Sequence, residues 1–156
     1  MKFVHPQIAF GNSSEARDTA WLKESGITAL LNVAIDLDLE AQGICLEQKV
    51  GLIAGEGNTL EVYDRAVTIG RLMIENGQKI LVYCHEGKDR SPLVAISILS
   101  LLNNSSFAEE MTEFKDKTPE LISFSSENSE AALIVLAESW SKNRTFKERL
   151  ESLELI

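Results

Sequence analysis

The stretch ILVYCHEGKDRSPLVAISILSLL, residues 80–102, constrains this chain more than any other. Four residues of β character run into a cysteine, a short charged loop follows, and an almost wholly apolar segment closes the unit. An ordinary turn between two pieces of core asks for a glycine and a polar residue or two. This loop instead carries Cys84, His85, Glu86, Gly87, Lys88, Asp89 and Arg90. The pattern predicts a buried strand feeding a buried helix, with costly polar groups concentrated where the two meet.

The rest of the chain supplies the frame for that unit. VHPQIAFG reads as a short strand or a strand pair interrupted by Pro6. NSSEARDTAWLKESG carries a helix start, with Asn12 and Glu15 in capping-box spacing and Gly26 as the stop. ITALLNVA is a β-rich run expected to be buried on both faces, and ICLEQKVGLI holds another strand. DLDLEAQG between them reads as a polar connection or a short helix. Asn58 followed by Glu61 marks a second helix start. Beyond it Leu60, Tyr63, Val67, Gly70 and Ile74 form one helical face, which Gly77 ends. SPLVAISILSLL is apolar all round and is expected to be a central helix, with two or three further helices after it, the first capped by Ser105 or Ser106. FKERLESLELI is an amphipathic helix through Phe146, Leu150 and Leu153. The order β-α-β-β-α-β-α followed by helices points to an α/β fold with a partly parallel central sheet.

Bulk properties narrow the function. The 156 residues fit one domain spanning residues 1–156 and long enough to bury a core. A net charge of −9 argues against nucleic acid as a partner, because a basic face is needed to displace counterions. It also argues against stable association with an anionic membrane, and no apolar run reaches the roughly 18 residues of a span. The first residues lack the apolar centre of a signal peptide, and Cys45 and Cys84 are the only cysteines, so the expected setting is a reducing cytoplasm with free thiols. His5 and His85 make no metal set. Trp21 and Trp140 read as packing residues, and Cys45 as a core or half-buried thiol, with redox pairing to Cys84 the lesser option.

Taken alone, a cysteine is most simply a small core residue. Its surroundings give Cys84 a second reading. The helix opening at Arg90 and Ser91 exposes unpaired backbone N–H groups and the positive end of its dipole. A loop entering such a terminus can wrap its amides around a tetrahedral oxyanion, and Gly87 allows backbone shapes closed to other residues. Arg90 can grip two oxygens in a planar fork, which lysine cannot match. A positive setting of this kind favours thiolate over thiol. A thiolate facing a bound phosphate is arranged for in-line attack on phosphorus. Ser91 is placed to stabilise that thiolate and to help it leave.

At these residues the chain resembles the protein tyrosine phosphatase superfamily: CHEGKDRS fits its Cys-x5-Arg-Ser/Thr signature. IAFGNSSEARDTAWLKESGITALLNVA looks like the N-terminal half of the small dual-specificity phosphatases, and the likeness runs from about Ile8 to the helices after residue 105. The resemblance implies the phosphatase fold, a central mostly parallel sheet of about four or five strands flanked by helices. It also implies hydrolysis of phosphate monoesters (phosphotyrosine, and phosphoserine or phosphothreonine if the pocket is shallow) through a cysteinyl-phosphate intermediate, with no metal and no cofactor. By carry-over Cys84 is the nucleophile, Arg90 the phosphate clamp, and Ser91 the hydroxyl that aids breakdown of the intermediate. His85, Glu86, Gly87, Lys88 and Asp89 form the phosphate-binding cradle. Tyr83 departs from the pattern, standing where the family usually has histidine. The loop interior GKDR looks more like the bacterial and phosphoinositide-directed branches, which makes Lys88 a substrate-contact candidate.

The family's leaving group is protonated by an aspartate roughly thirty residues before the cysteine. Here that region reads VGLIAGEGNTLEVYD, whose first part has no aspartate, and Glu56 between two glycines is the nearest carboxylate. Those glycines are expected to let the loop swing. Asp89, inside the phosphate loop, is the rival. Asp64, Asp36 and Asp38 are lesser candidates.

Three readings of the whole follow. The first is a cysteine-dependent phosphatase acting on a phosphorylated protein or small molecule, a phosphoinositide or other polyphosphorylated compound being the variant that Lys88 favours. The second is a phosphatase-like module that binds phospho-ligands with little turnover, suggested by Tyr83 and the missing upstream aspartate. The third is sulfur transfer through a persulfide on Cys84. The sequence leaves the oligomeric state open.

Overall fold

The structure is a computed structural model that describes residues 2–38, 45–117 and 128–154, with side chains of the last segment described from 131 to 144. Five strands form one sheet: β1 (Lys2–His5), β2 (Ile8–Gly11), β3 (Ala29–Ala34), β4 (Leu46–Leu52) and β5 (Ile80–Tyr83), in the spatial order β1-β2-β5-β3-β4. β1 and β2 form an antiparallel hairpin about Pro6, and the β2–β5, β5–β3 and β3–β4 pairings are parallel. β5 is therefore central, with β2 and β3 on either side, and every residue of these three strands is buried.

Period-2 alternation distributes their side chains between two cores. Ile8, Phe10, Ala29, Leu31, Val33, Ile80 and Val82 face one side. Ala9, Leu30, Leu81 and Tyr83 face the other, where they meet Ala16 and Leu22. The second face is covered by α1 (Ser13–Ala16) and α2 (Thr19–Glu24). One helix was expected across this stretch, but the chain breaks it in two. The capping box of Asn12 and Glu15 forms as its spacing predicts, and Asp18 then caps a second start by accepting from the Trp21 N–H. Two good N-caps six residues apart divide what one could have begun.

The first face carries α3 (Leu60–Glu75), α4 (Arg90–Leu102), α5 (Phe107–Lys117) and α6 (Asn128–Glu154). α3 starts at Thr59, whose hydroxyl accepts from the Val62 N–H, and not at Asn58. Asn58 bonds backward instead, its amide accepting from Ile53 N and donating to Ile53 O, both at 2.7 Å. The face predicted for α3 is buried at Tyr63, Val67, Gly70 and Ile74, while Leu60 at its start is 37% exposed. α4 is buried from Arg90 to Ser100, as an all-round apolar helix must be. Tyr63 fastens α3 to it through hydrogen bonds of its hydroxyl with the Leu93 carbonyl (3.1 Å) and Ser97 (2.7 Å). Burial pushes the Tyr63 phenol well above its ordinary pKa, so it stays neutral. Ser106 caps α5 by accepting from the Glu109 N–H. Among the described residues no single helix is long and apolar enough to cross a membrane. Residues 39–43 of the 36–43 connection, and the side chains of Phe146, Leu150 and Leu153, lie outside the described residues.

Candidate functional site

The loops that follow β2, β3, β4 and β5 all leave the same edge of the sheet, because those strands are parallel. That edge is where ligands of open α/β sheets bind. The loop from Cys84 to Asp89 occupies its centre, between the end of β5 and the start of α4. Alternation along β5 puts Cys84 on the same face as Ile80 and Val82, toward α4, and Tyr83 on the opposite face. The Tyr83 hydroxyl accordingly donates to the Glu47 carboxylate on β4 and takes no part in the surroundings of the thiol.

Cys84 is fully buried, and three groups meet its Sγ. The Gly87 N–H donates to it at 3.3 Å, Ser91 Oγ lies at 3.3 Å, and Asp89 Oδ1 lies at 3.5 Å. Ser91 Oγ in turn donates to the Gly11 carbonyl at 3.1 Å, so the proton in its contact with Sγ comes from the thiol. Asp89 is the N-cap of α4 and accepts from the Arg90 N–H at 2.6 Å.

The loop is moored to the turn between β2 and α1. The Cys84 N–H donates to Gly11 O (3.3 Å), and the Ser13 hydroxyl and N–H both donate to His85 O (3.3 and 3.4 Å). Gly87 is the tightest point: its φ is +74°, and a Cβ there would sit 2.7 Å from the Gly11 carbonyl carbon and 2.9 Å from Asn12 N. Gly87→Ala is therefore expected to cost more than about 1 kcal/mol of stability and to displace the amide that reaches Sγ. Thermal unfolding and a thiol-alkylation rate at Cys84 check this, and an unchanged melting temperature would contradict it.

His85, Glu86 and Lys88 are exposed at the rim, while Arg90 is 4% exposed. Arg90 Nη1 donates to the Leu52 carbonyl at 2.9 Å and to Asp36 Oδ1 at 2.6 Å. Its Nε is buried without a hydrogen-bond partner, 3.8 Å from Asp89 Oδ1. Burial opposes the Arg90 charge, but the bond to Asp36 and the nearby Asp36, Asp89 and Cys84 outweigh it and hold the guanidinium above its ordinary pKa. The Arg90 bond likewise holds the Asp36 carboxyl below its ordinary range. The ion pair is therefore complete above the usual carboxylate pKa and is lost only as pH falls through the lower folded value.

Asp36, a lesser candidate by sequence, is thus the acid in direct contact with Arg90. The signal that finds it is topological: it follows β3, the strand beside β5, at the edge where the loops converge. The other acids sort differently. Asp64 accepts from the Trp140 indole N–H at 2.9 Å and serves helix packing. Asp38 is exposed. Glu56 is exposed in a loop that Asn58 ties across Ile53 and Gly55, so the swinging loop expected from its two glycines is internally braced. Glu56 lines an open groove of about 580 Å3 between this loop and Ala131, Val135 and Ser139 of α6.

Cys45 precedes β4 at the opposite end of the sheet from Cys84, its thiol on the Ile27 carbonyl. With the length of a parallel strand between them, the two sulfurs do not form the redox pair that was the lesser reading.

No family model matches the sequence. Solved structures do resemble this one along nearly its whole length. Human DUSP28 superposes with a TM-score of 0.77 at 17% identity, over 92% of this chain and 97% of that one. A mouse putative dual specificity phosphatase complexed with zinc tungstate gives 0.71 at 21% identity, over 91% and 89%. A human tyrosine phosphatase-like serine/threonine/tyrosine-interacting protein gives 0.68 at 14% identity, over 100% and 98%. At such identities the likeness is one of architecture, and the fold of this chain is the fold of the dual-specificity phosphatases.

Proposed function

We propose that this protein is a cysteine-dependent phosphatase that hydrolyses phosphate monoesters through a phosphocysteine at Cys84. The observation that carries this reading is the buried Arg90, whose Nε makes no hydrogen bond and whose helix N-terminus opens onto the Cys84 thiol. A buried unpaired guanidinium N–H is costly unless an anion completes it. The loop from His85 to Arg90 is the cradle for that anion, and the shared fold supports the same assignment.

Asp89 is the acid in this reading. Its carboxylate lies 3.5 Å from Sγ, whereas Glu56 sits in a braced loop facing α6. The thiol proton passes to Asp89 and Sγ attacks phosphorus. As the S–P bond forms and the ester P–O bond breaks, Asp89 gives that proton to the departing oxygen. Water then attacks phosphorus from the vacated side and gives a proton to Asp89. The S–P bond breaks, inorganic phosphate leaves, and the proton on Asp89 returns to the sulfur. Ser91, 3.3 Å from Sγ, turns its hydroxyl from Gly11 to the thiolate as the S–P bond breaks.

The test is hydrolysis of p-nitrophenyl phosphate with vanadate inhibition, together with an acid quench that traps one phosphoryl group on the Cys84 peptide by mass spectrometry. Turnover without a trapped or vanadate-sensitive intermediate contradicts the mechanism. Tight oxyanion binding without turnover would favour the phospho-ligand module, and thiosulfate sulfurtransferase activity the persulfide reading. Asp89→Asn is expected to slow alkyl phosphates by about 100- to 10,000-fold and p-nitrophenyl phosphate far less, because nitrophenolate leaves without a proton. Glu56→Gln is expected to change neither, and the reverse pattern would transfer the role to Glu56.

A further inference from the structure

The acid on Arg90 is held in place by more than its own bond. Asp36 lies in a strap, Ile35–Asp38, that leaves β3 at the edge carrying the site. The Ile35 N–H donates to Leu52 O at 3.0 Å, the same carbonyl that accepts from Arg90 Nη1. Lys49 on β4 reaches both carbonyls flanking Asp36, donating from Nζ to Ile35 O at 3.2 Å and to Leu37 O. From beneath, the fully buried Asn32 donates from Nδ2 to Leu37 O at 3.1 Å and accepts from the Ala34 N–H at 2.9 Å. The strap closes on itself through Leu37 N–H to Ala34 O at 3.2 Å.

A solvated lysine or a turn-capping asparagine would account for one or two such bonds. Here Lys49 bonds the carbonyls of the residues on either side of a single carboxylate, and Asn32 shares one of them. That carboxylate and Leu52 O together hold one corner of the Arg90 guanidinium, Nη1. The opposite edge, with Nε, is left without a hydrogen bond. A long, flexible side chain is thereby fixed about its axis before any ligand arrives, which lowers the ordering cost of binding.

We propose that Asp36 is a positioning residue for Arg90, and that Lys49 and Asn32 act through the strap to hold it there. The network turns the Nε edge of the guanidinium toward the cradle, where it meets the oxyanion. Asp36 touches no reacting atom. The proposal rests on the phosphatase reading for its kinetic consequence, while its effect on anion affinity is measurable without turnover.

The experiment compares the unaltered protein with Asp36→Ala, Asp36→Asn, Lys49→Met and the double variant Asp36→Ala/Lys49→Met. Each is measured for tungstate affinity by calorimetry, for kcat and KM on p-nitrophenyl phosphate, and for thermal unfolding. Asp36→Ala is expected to weaken tungstate binding and raise KM by about tenfold or more, with a smaller fall in kcat. Asp36→Asn, which keeps an acceptor for Nη1, is expected to recover most of the affinity. Lys49→Met shifts the same quantities less, and the double variant is no worse than Asp36→Ala alone, because both act through one contact. Unchanged affinity in a folded Asp36→Ala protein overturns the proposal. So does strict additivity of Asp36→Ala and Lys49→Met, or a loss that follows melting temperature across all variants. If the unaltered protein binds tungstate but turns over no ester, the phosphatase reading fails and the affinity comparison still decides the role of Asp36. If the unaltered protein binds no oxyanion, both fail.

Discussion

Cys84→Ser is expected to abolish hydrolysis of p-nitrophenyl phosphate, by at least about ten-thousand-fold in kcat, while leaving the fold intact. The structural side is mild. Cys84 is fully buried in close contact with Ser91 and Asp89, and a serine hydroxyl can donate to the same acceptors from a slightly smaller side chain. The chemical side is severe. An alcohol gives up its proton far less readily than a thiol, so serine at this position stays neutral and is a poor nucleophile. Because the amides and Arg90 are untouched, tungstate binding should survive. Retained turnover in the serine variant would remove Cys84 from the chemistry. A serine variant that no longer binds tungstate would instead show that the sulfur holds the cradle's shape.

Arg90→Lys carries the second largest effect, a fall in kcat/KM of roughly 100- to 1,000-fold. The substitution keeps the positive charge, which makes it the sharper test of geometry. The guanidinium places Nη1 on two acceptors while Nε remains open. An ammonium is a compact point charge, and once it bonds Leu52 O and Asp36 it has no second edge in a fixed plane to offer an anion. Asp36 is about half exposed, so it can turn to water when its partner shortens, and the unfolding transition should move little. A folded Arg90→Lys protein with nearly unaltered kcat/KM would show that charge alone suffices, and the forked clamp would not be the reason arginine stands there.

The strand, loop and helix of residues 80–102 were readable because every level of the sequence agrees there. A continuous apolar run, a glycine and a helix apolar all round allow one arrangement of Cys84 against the helix start. The same holds for the buried β3, for the capping box of Asn12 and Glu15 and for the glycine stops at Gly26 and Gly77. Where neighbouring signals compete, sequence left the outcome open. Asp18 and Asn12 both cap, so one expected helix became two, and Asn58 bonds back to Ile53 while Thr59 caps α3, so the start of that helix moved by one residue. Glu56 was singled out for its distance from Cys84 along the chain, but chain distance does not report which way a loop faces. Asp36 stood too far upstream for a spacing argument, and it reaches Arg90 because β3 lies beside β5.

The sequence by itself therefore determined the arrangement at the centre: a cysteine at the end of a buried strand, an arginine at the start of a buried helix, and a glycine between them where no other residue fits. These three lie within seven consecutive positions, and local backbone preference with alternation of burial is enough to bring them together. The tertiary structure alone decided what stands around that centre. Asp36, Leu52, Lys49 and Asn32 meet Arg90 or its strap from β3, β4 and the segment after β3, across parallel pairings that no periodicity encodes. The physical reason is one of range: helix and strand patterns specify which face of an element is buried, whereas strand order specifies which loops become neighbours, and strand order is a property of the whole packed sheet.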